Sequence, residues 1–178
     1  MKLHRHYLAG ILLTTTASLA QGVPAHQHGV ATLQAVLSST TLHIELRSPL
    51  MNLVGFEGHA DTPEQQQALD DVRQRFAQDV IQSRPCQLQH TSIELPEQSH
   101  DHDHDHDHDH DHDHDHDEHT DLTVSWEFYC PAAGSVTLDS RLITTFPGIE
   151  TLQLLWITDQ QQGADTFDHD QPILLPRR

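Results

Sequence analysis

Residues 100–117 are an unbroken alternation, HDHDHDHDHDHDHDHDHD, followed by Glu118 and His119. A stretch without one apolar side chain cannot help to bury a core, so it must be an excursion from the fold that its flanks build. The two flanks then have to meet across it. Loop closure permits this, because its entropic cost grows only logarithmically with length. The tract also distorts the overall charge. The chain has 27 acidic residues against 9 Lys plus Arg, a net charge of −18 with histidine neutral. Ten of those acids lie between His100 and His119, and the remaining 17 against 9 bases describe an ordinary, mildly acidic domain. Such a chain is repelled by phosphate backbones, so no nucleic-acid partner is expected. Lys2 is the only lysine, which removes P-loop and Schiff-base chemistry. H-E-x-x-H, G-x-S-x-G and C-x-x-C are all absent from the sequence, and no enzyme is expected.

The N-terminus reads as an export signal over residues 1–25. Lys2 and Arg5 form a cationic start, Tyr7 to Leu13 a short apolar run, and small residues follow. Cleavage fits after Ala20 (Ser18 and Ala20 as the small pair) or after Ala25 (Val23 and Ala25). No later apolar run reaches membrane length, so no membrane span is expected after cleavage. Residues 26–178 are then a single exported domain. Export means an oxidising compartment, where a disulfide is the default state of two cysteines.

Ala31, Leu33, Ala35 and Leu37 alternate on one strand face, and Leu42, Ile44 and Leu46 on another. Pairing 37 with 42, 35 with 44 and 33 with 46 puts apolar opposite apolar and predicts an antiparallel hairpin. Residues 62–82 predict a helix. Thr62 is its N-cap, Pro63 its first residue and Gln65 completes a capping box, with Leu69, Val72, Phe76 and Val80 on one stripe. Cys86, Leu88 and His90 share a parity, as do Leu122, Val124, Trp126, Phe128 and Cys130. Antiparallel pairing of these two runs sets Cys86 opposite Cys130, Leu88 opposite Phe128, His90 opposite Trp126 and residue 95 opposite 121. A Cys86–Cys130 disulfide follows from that register, with two unpaired buried cysteines as the alternative. Residues 135–146 are partly strand-like up to the break at Phe146-Pro147-Gly148, and residues 151–158 and 164–167 are further strands. The expected fold is α+β: a mainly antiparallel sheet, one amphipathic helix packed on a face, and a disordered His/Asp-rich hairpin loop over 97–120.

Neutral imidazole is the commonest metal ligand, and its ordinary pKa of about 6.5 leaves most of it neutral at pH 7. His100, His102, His104, His106, His108, His110, His112, His114, His116 and His119 can therefore supply ligands to roughly two to three zinc ions. The interleaved aspartates concentrate cations and can accept the second ring N–H of a ligating histidine. The same carboxylates favour protonated imidazole, so protons compete with metal. The hairpin also predicts a structured cluster. His26, His28, Glu57 and His59 should gather with His119 at the end of the sheet remote from the disulfide. His43 should lie on the polar face, His90 in the core, and Asp168-His169-Asp170 is a peripheral ligand candidate. Cleavage after Ala25 would leave His26-Gln27-His28 as a terminal copper- and nickel-chelating arrangement.

Several segments resemble the ZrgA zinc-uptake family of bacterial periplasmic zinc-binding proteins. They are HQHG at 26–29, SPLMNLVGFEGH at 48–59, a cysteine at 86 ahead of the histidine-rich segment, WEFYC at 126–130 and FPGIETLQLLWIT at 146–158. One departure is local: the family usually has histidine directly after the glutamate, whereas here Gly58 separates Glu57 from His59. The resemblance implies a Gram-negative periplasm and zinc acquisition beside an inner-membrane transporter. Zn(2+) is the expected ligand, with Cu(2+) or Ni(2+) possible in vitro, since intrinsic affinity favours copper at imidazole sites. A periplasmic copper or nickel buffer, or a metal-detoxification protein, is the alternative function. A pH-responsive interaction loop is the non-metal one.

Overall fold

The computed structural model describes residues 27–95, 120–131 and 134–176. The signal segment, His26 and the His/Asp tract lie outside the described residues. The first hairpin pairs β1 (Val30–Ser38) with β2 (Thr41–Pro49) in the expected register, with Leu33 opposite Leu46, Ala35 opposite Ile44 and Leu37 opposite Leu42. All seven apolar residues of its inner face are buried. A one-residue slip would turn that whole set outward, which is why alternation alone specifies the pairing.

Four more strands complete a six-stranded sheet. They are β4 (Gln87–Glu94), β5 (Asp121–Tyr129), β7 (Thr151–Thr158) and β8 (Gln162–Phe167), in the order β4-β5-β2-β1-β7-β8. A second sheet of three strands, ordered β3-β6-β9, joins β3 (Ile81–Arg84), β6 (Val136–Ser140) and β9 (Pro172–Leu175). The helices are α1 (Met51–Val54), α2 (Pro63–Phe76) and α3 (Leu142–Thr145). The fold is thus α+β, as expected, with additions. The large sheet is mixed rather than purely antiparallel, because β1 and β7 run parallel from Val30 opposite Thr151 to Leu37 opposite Thr158. β6 falls within the expected strand-like stretch 135–146, whereas the separation of a second sheet and the two single-turn helices lie beyond the sequence expectation. One contiguous core joins all these layers.

The α2 N-terminus is capped as its sequence dictates. Thr62 Oγ1 accepts from Gln65 N at 3.2 Å, and Gln65 Oε1 accepts from Thr62 N at 3.0 Å. Leu69, Val72 and Phe76 are buried. Phe76 meets Trp126 of β5 edge-on at 6.0 Å between ring centroids and Phe146 at 4.6 Å, so the helix does pack on the sheet's inner face. Its end departs from expectation. The helix stops at Phe76, and Val80 is buried in the connection before β3. Ile81 to Arg84 pair with Thr137 to Ser140, and this long-range ladder takes residues that the apolar stripe assigned to a fifth helical turn.

Cys86 and Cys130 are disulfide-bonded across 44 residues of sequence. The expected pairing of Leu88 with Phe128 is present, but a bulge between Leu88 and His90 then shifts the register, so His90 faces Glu127 and Thr91 faces Trp126. His90 is therefore exposed rather than a core residue. The extra residue reverses the parity of the strand beyond it and brings Ile93 and Leu95 against the core.

Candidate metal centre

Three of the resembling segments meet at one end of the large sheet. The buried Asn52 fastens them together. Its Oδ1 accepts from Gly29 N at 2.8 Å, and its Nδ2 donates to Val30 O at 2.9 Å and to Ser48 Oγ at 3.2 Å. The Gly29 carbonyl in turn accepts from Glu150 N and Thr151 N at 2.8 and 2.9 Å. Gly148 lies so close beneath that a Cβ there would stand 2.3 Å from the Asn52 carbonyl oxygen. Gly148→Ala is accordingly expected to cost about 1–3 kcal/mol, because backbone rather than a yielding side chain opposes it. A chemical-denaturation midpoint checks this.

Glu57 lies beside that corner. Its Oε1 accepts from Met51 N at 3.3 Å and its Oε2 from Thr120 N at 3.2 Å. The Thr120 carbonyl accepts from Leu50 N at 2.8 Å. His28 Nε2 stands 3.3 Å from Glu57 Oε1. One carboxylate thus touches the turn before β1, the start of α1 and Thr120, the residue just before β5. His28 is about half exposed, and Glu57 is only 21% exposed through its side chain. The end of the sheet and the pairing of His28 with Glu57 agree with the sequence reading. The Cys86–Cys130 bridge lies at the other end, where Cys130 N donates to Thr40 O beside the β1–β2 turn.

Among the described residues no three His, Cys, Asp or Glu side chains are gathered about one point. His59 is half-buried and does not make a preformed group of three with His28 and Glu57. His26 and the ten tract histidines, His100 through His119, lie outside the described residues. An imidazole nitrogen and a carboxylate oxygen are chemically suited to zinc, but they make half of a four-coordinate set. Asp168-His169-Asp170 is placed elsewhere. Asp170 accepts from Ile143 N at 3.1 Å and Thr144 N at 2.8 Å, which fixes α3. His169 Nδ1 sits 2.6 Å from Asp168 and holds that carboxyl below the usual carboxylate range.

The sequence reading missed Asn52 and Thr120. Asn52 had a signal: a lone amide among the apolar residues of LMNLV, where a buried polar side chain must find partners. Thr120 had none, since it acts through its backbone N–H and carbonyl.

The description "ZrgA family zinc uptake protein" matches residues 25–175. The chain belongs to the ZrgA family. Comparison with the curated proteins gives no match. Membership ties this fold to zinc uptake and agrees with the resemblance carried by the corner segments. The ZrgA-family segments HQHG, SPLMNLVGFEGH and FPGIE thus have a shared structural purpose here. Gly29, Asn52 and Gly148 close the corner, and His28 and Glu57 occupy its surface. No helix among the described residues is long and apolar enough to cross a membrane.

Proposed function

We propose that this protein is exported to the periplasm, captures zinc there and assists its high-affinity uptake by an inner-membrane transporter. It acts as a binding protein and not as an enzyme. The observation that carries this reading is the placement of Glu57. It sits beside His28 and accepts the N–H of Thr120, next to the end of the His/Asp tract. The tract histidines act as a collector of several ions. His28 and Glu57 supply two ligands of a tighter site, with His26, His59 and His119 as the further candidates. Zinc is the ligand because the chain belongs to a zinc uptake family. The tract's aspartates raise the local cation concentration before any ligand bond forms.

The test is zinc stoichiometry and competition-measured affinity on the exported chain, with and without residues 99–118. The intact chain should bind about two to three more ions than the shortened one. Glu57→Ala in the shortened chain should then remove one tighter ion. Unchanged stoichiometry on shortening would refute the collector, and an unchanged tight ion in Glu57→Ala would refute the structured site. In cells, loss of the protein should impair growth only under zinc starvation. Sensitivity to excess copper or nickel instead would replace uptake by buffering.

A further inference from the structure

The outward face of the large sheet carries a row of side chains that simple alternation conceals. The β2–β5 register sets His43 directly opposite Glu127. The β4–β5 register sets His90 opposite the same Glu127 from the other side. Glu127 is therefore the centre of a row running across three adjacent strands. Directly opposed residues share a face, with Cβ atoms roughly 4.5–5.5 Å apart. The Cβ atoms of both histidines thus stand about one strand spacing from that of Glu127.

The bulge between Leu88 and His90 creates this row. Without it His90 would oppose Trp126 on the core face, as the uninterrupted register requires. Re-aiming one side chain is a recurrent use of bulges beside functional sites. His43, His90 and Glu127 are all exposed. Among the described residues no side-chain hydrogen bond or ion pair holds any of the three.

We propose that His43, Glu127 and His90 form a surface site for a borderline divalent cation such as zinc. Two imidazoles and one carboxylate are the protein ligands, and water completes the coordination. This donor set is one that zinc accepts with an open position. Imidazole favours zinc, copper and nickel, whereas calcium and magnesium would find a single useful carboxylate. The three side chains are not gathered about one point as they stand. Closure needs rotation about side-chain torsions only, which exposure allows, while the paired backbone keeps the three Cβ atoms in place. The site is separate from the His28–Glu57 corner. His43 is near the start of β2, whereas that corner lies beyond the end of β2. The proposal therefore stands whether or not zinc binds at Glu57.

Nuclear magnetic resonance of the exported chain, titrated with Zn(2+) alone, separates this site from the tract. The ring resonances of His43 and His90 should shift together along one saturation curve. His43→Gln, His90→Gln and Glu127→Gln should each weaken that curve by about tenfold or more, since even outer-shell partners of a metal are worth roughly that much. The His28 ring should titrate unchanged in all three variants. His43 and His90 rings that stay unmoved while the tract saturates would overturn the proposal, as would shifts undiminished in Glu127→Gln. The wild-type titration alone carries the test if a variant fails to fold.

Discussion

Replacing Cys86 and Cys130 together by alanine is expected to lower the stability of the chain by about 4 kcal/mol, from the chain entropy that a crosslink over such a span removes. The bond joins positions 44 apart. Much of the enclosed sequence is the His/Asp tract, which adds no apolar burial and leaves the two strands to find each other across a long spacer. Cys130 is also fully buried in the common core, so its truncation adds a small cavity term. Urea denaturation measures the loss. A reductant should lower the wild-type midpoint by the crosslink share of that loss, without the cavity term, and leave the double variant unmoved. An unchanged midpoint in either experiment would show that the β4–β5 pairing holds the tract's ends without help. Zinc stoichiometry should survive in the folded variant, because no proposed ligand is a thiol.

Asn52→Ala is expected to cost roughly 3 kcal/mol, the sum of leaving several buried or half-buried partners unsatisfied. Gly29 N, Val30 O and Ser48 Oγ would each lose the Asn52 side chain. For a domain of this size that corresponds to a fall of roughly 10 °C in melting temperature. Asn52→Asp should be no better, since a carboxylate cannot donate to Val30 O and would be buried without a cation. Calorimetry on both variants decides the matter, and a loss under about 1 kcal/mol would mean that water replaces the amide at little cost. The same variants should weaken zinc at Glu57. Met51 N, one of the donors to that carboxylate, lies next to Asn52 in α1.

Much of this was legible locally. The β1–β2 register follows from two apolar alternations and a short turn, and the structure has it residue for residue. The α2 cap follows from Thr62, Pro63 and Gln65, because capping is settled within one turn. The cysteine pairing follows from the parity of the two strands. The candidate corner was legible in outline, because the lengths of a hairpin, a helix and a returning strand place His28 and Glu57 at one end. What was not legible depends on contacts distant in sequence. Gln78 to Val80 would continue a helical stripe, yet β6 recruits the following residues as a strand. The parallel pairing of β1 with β7 joins segments more than a hundred residues apart, with no local signature.

The sequence by itself determined that this chain carries a dense imidazole–carboxylate tract on an acidic, disulfide-bonded α+β domain. Composition, periodicity of two and capping chemistry are properties of neighbours along the chain. Only the tertiary structure decided the contacts made at the corner and on the outer face of the sheet. It bound Glu57 to the N–H of Thr120, made Asn52 the fastener of the corner, and turned His90 from the core to the row beside Glu127 through one inserted residue. The physical reason is the same in each case. A backbone N–H, a buried amide and a strand bulge acquire their partners from chain segments that local sequence does not specify, and a shift of one residue reverses the face a side chain occupies.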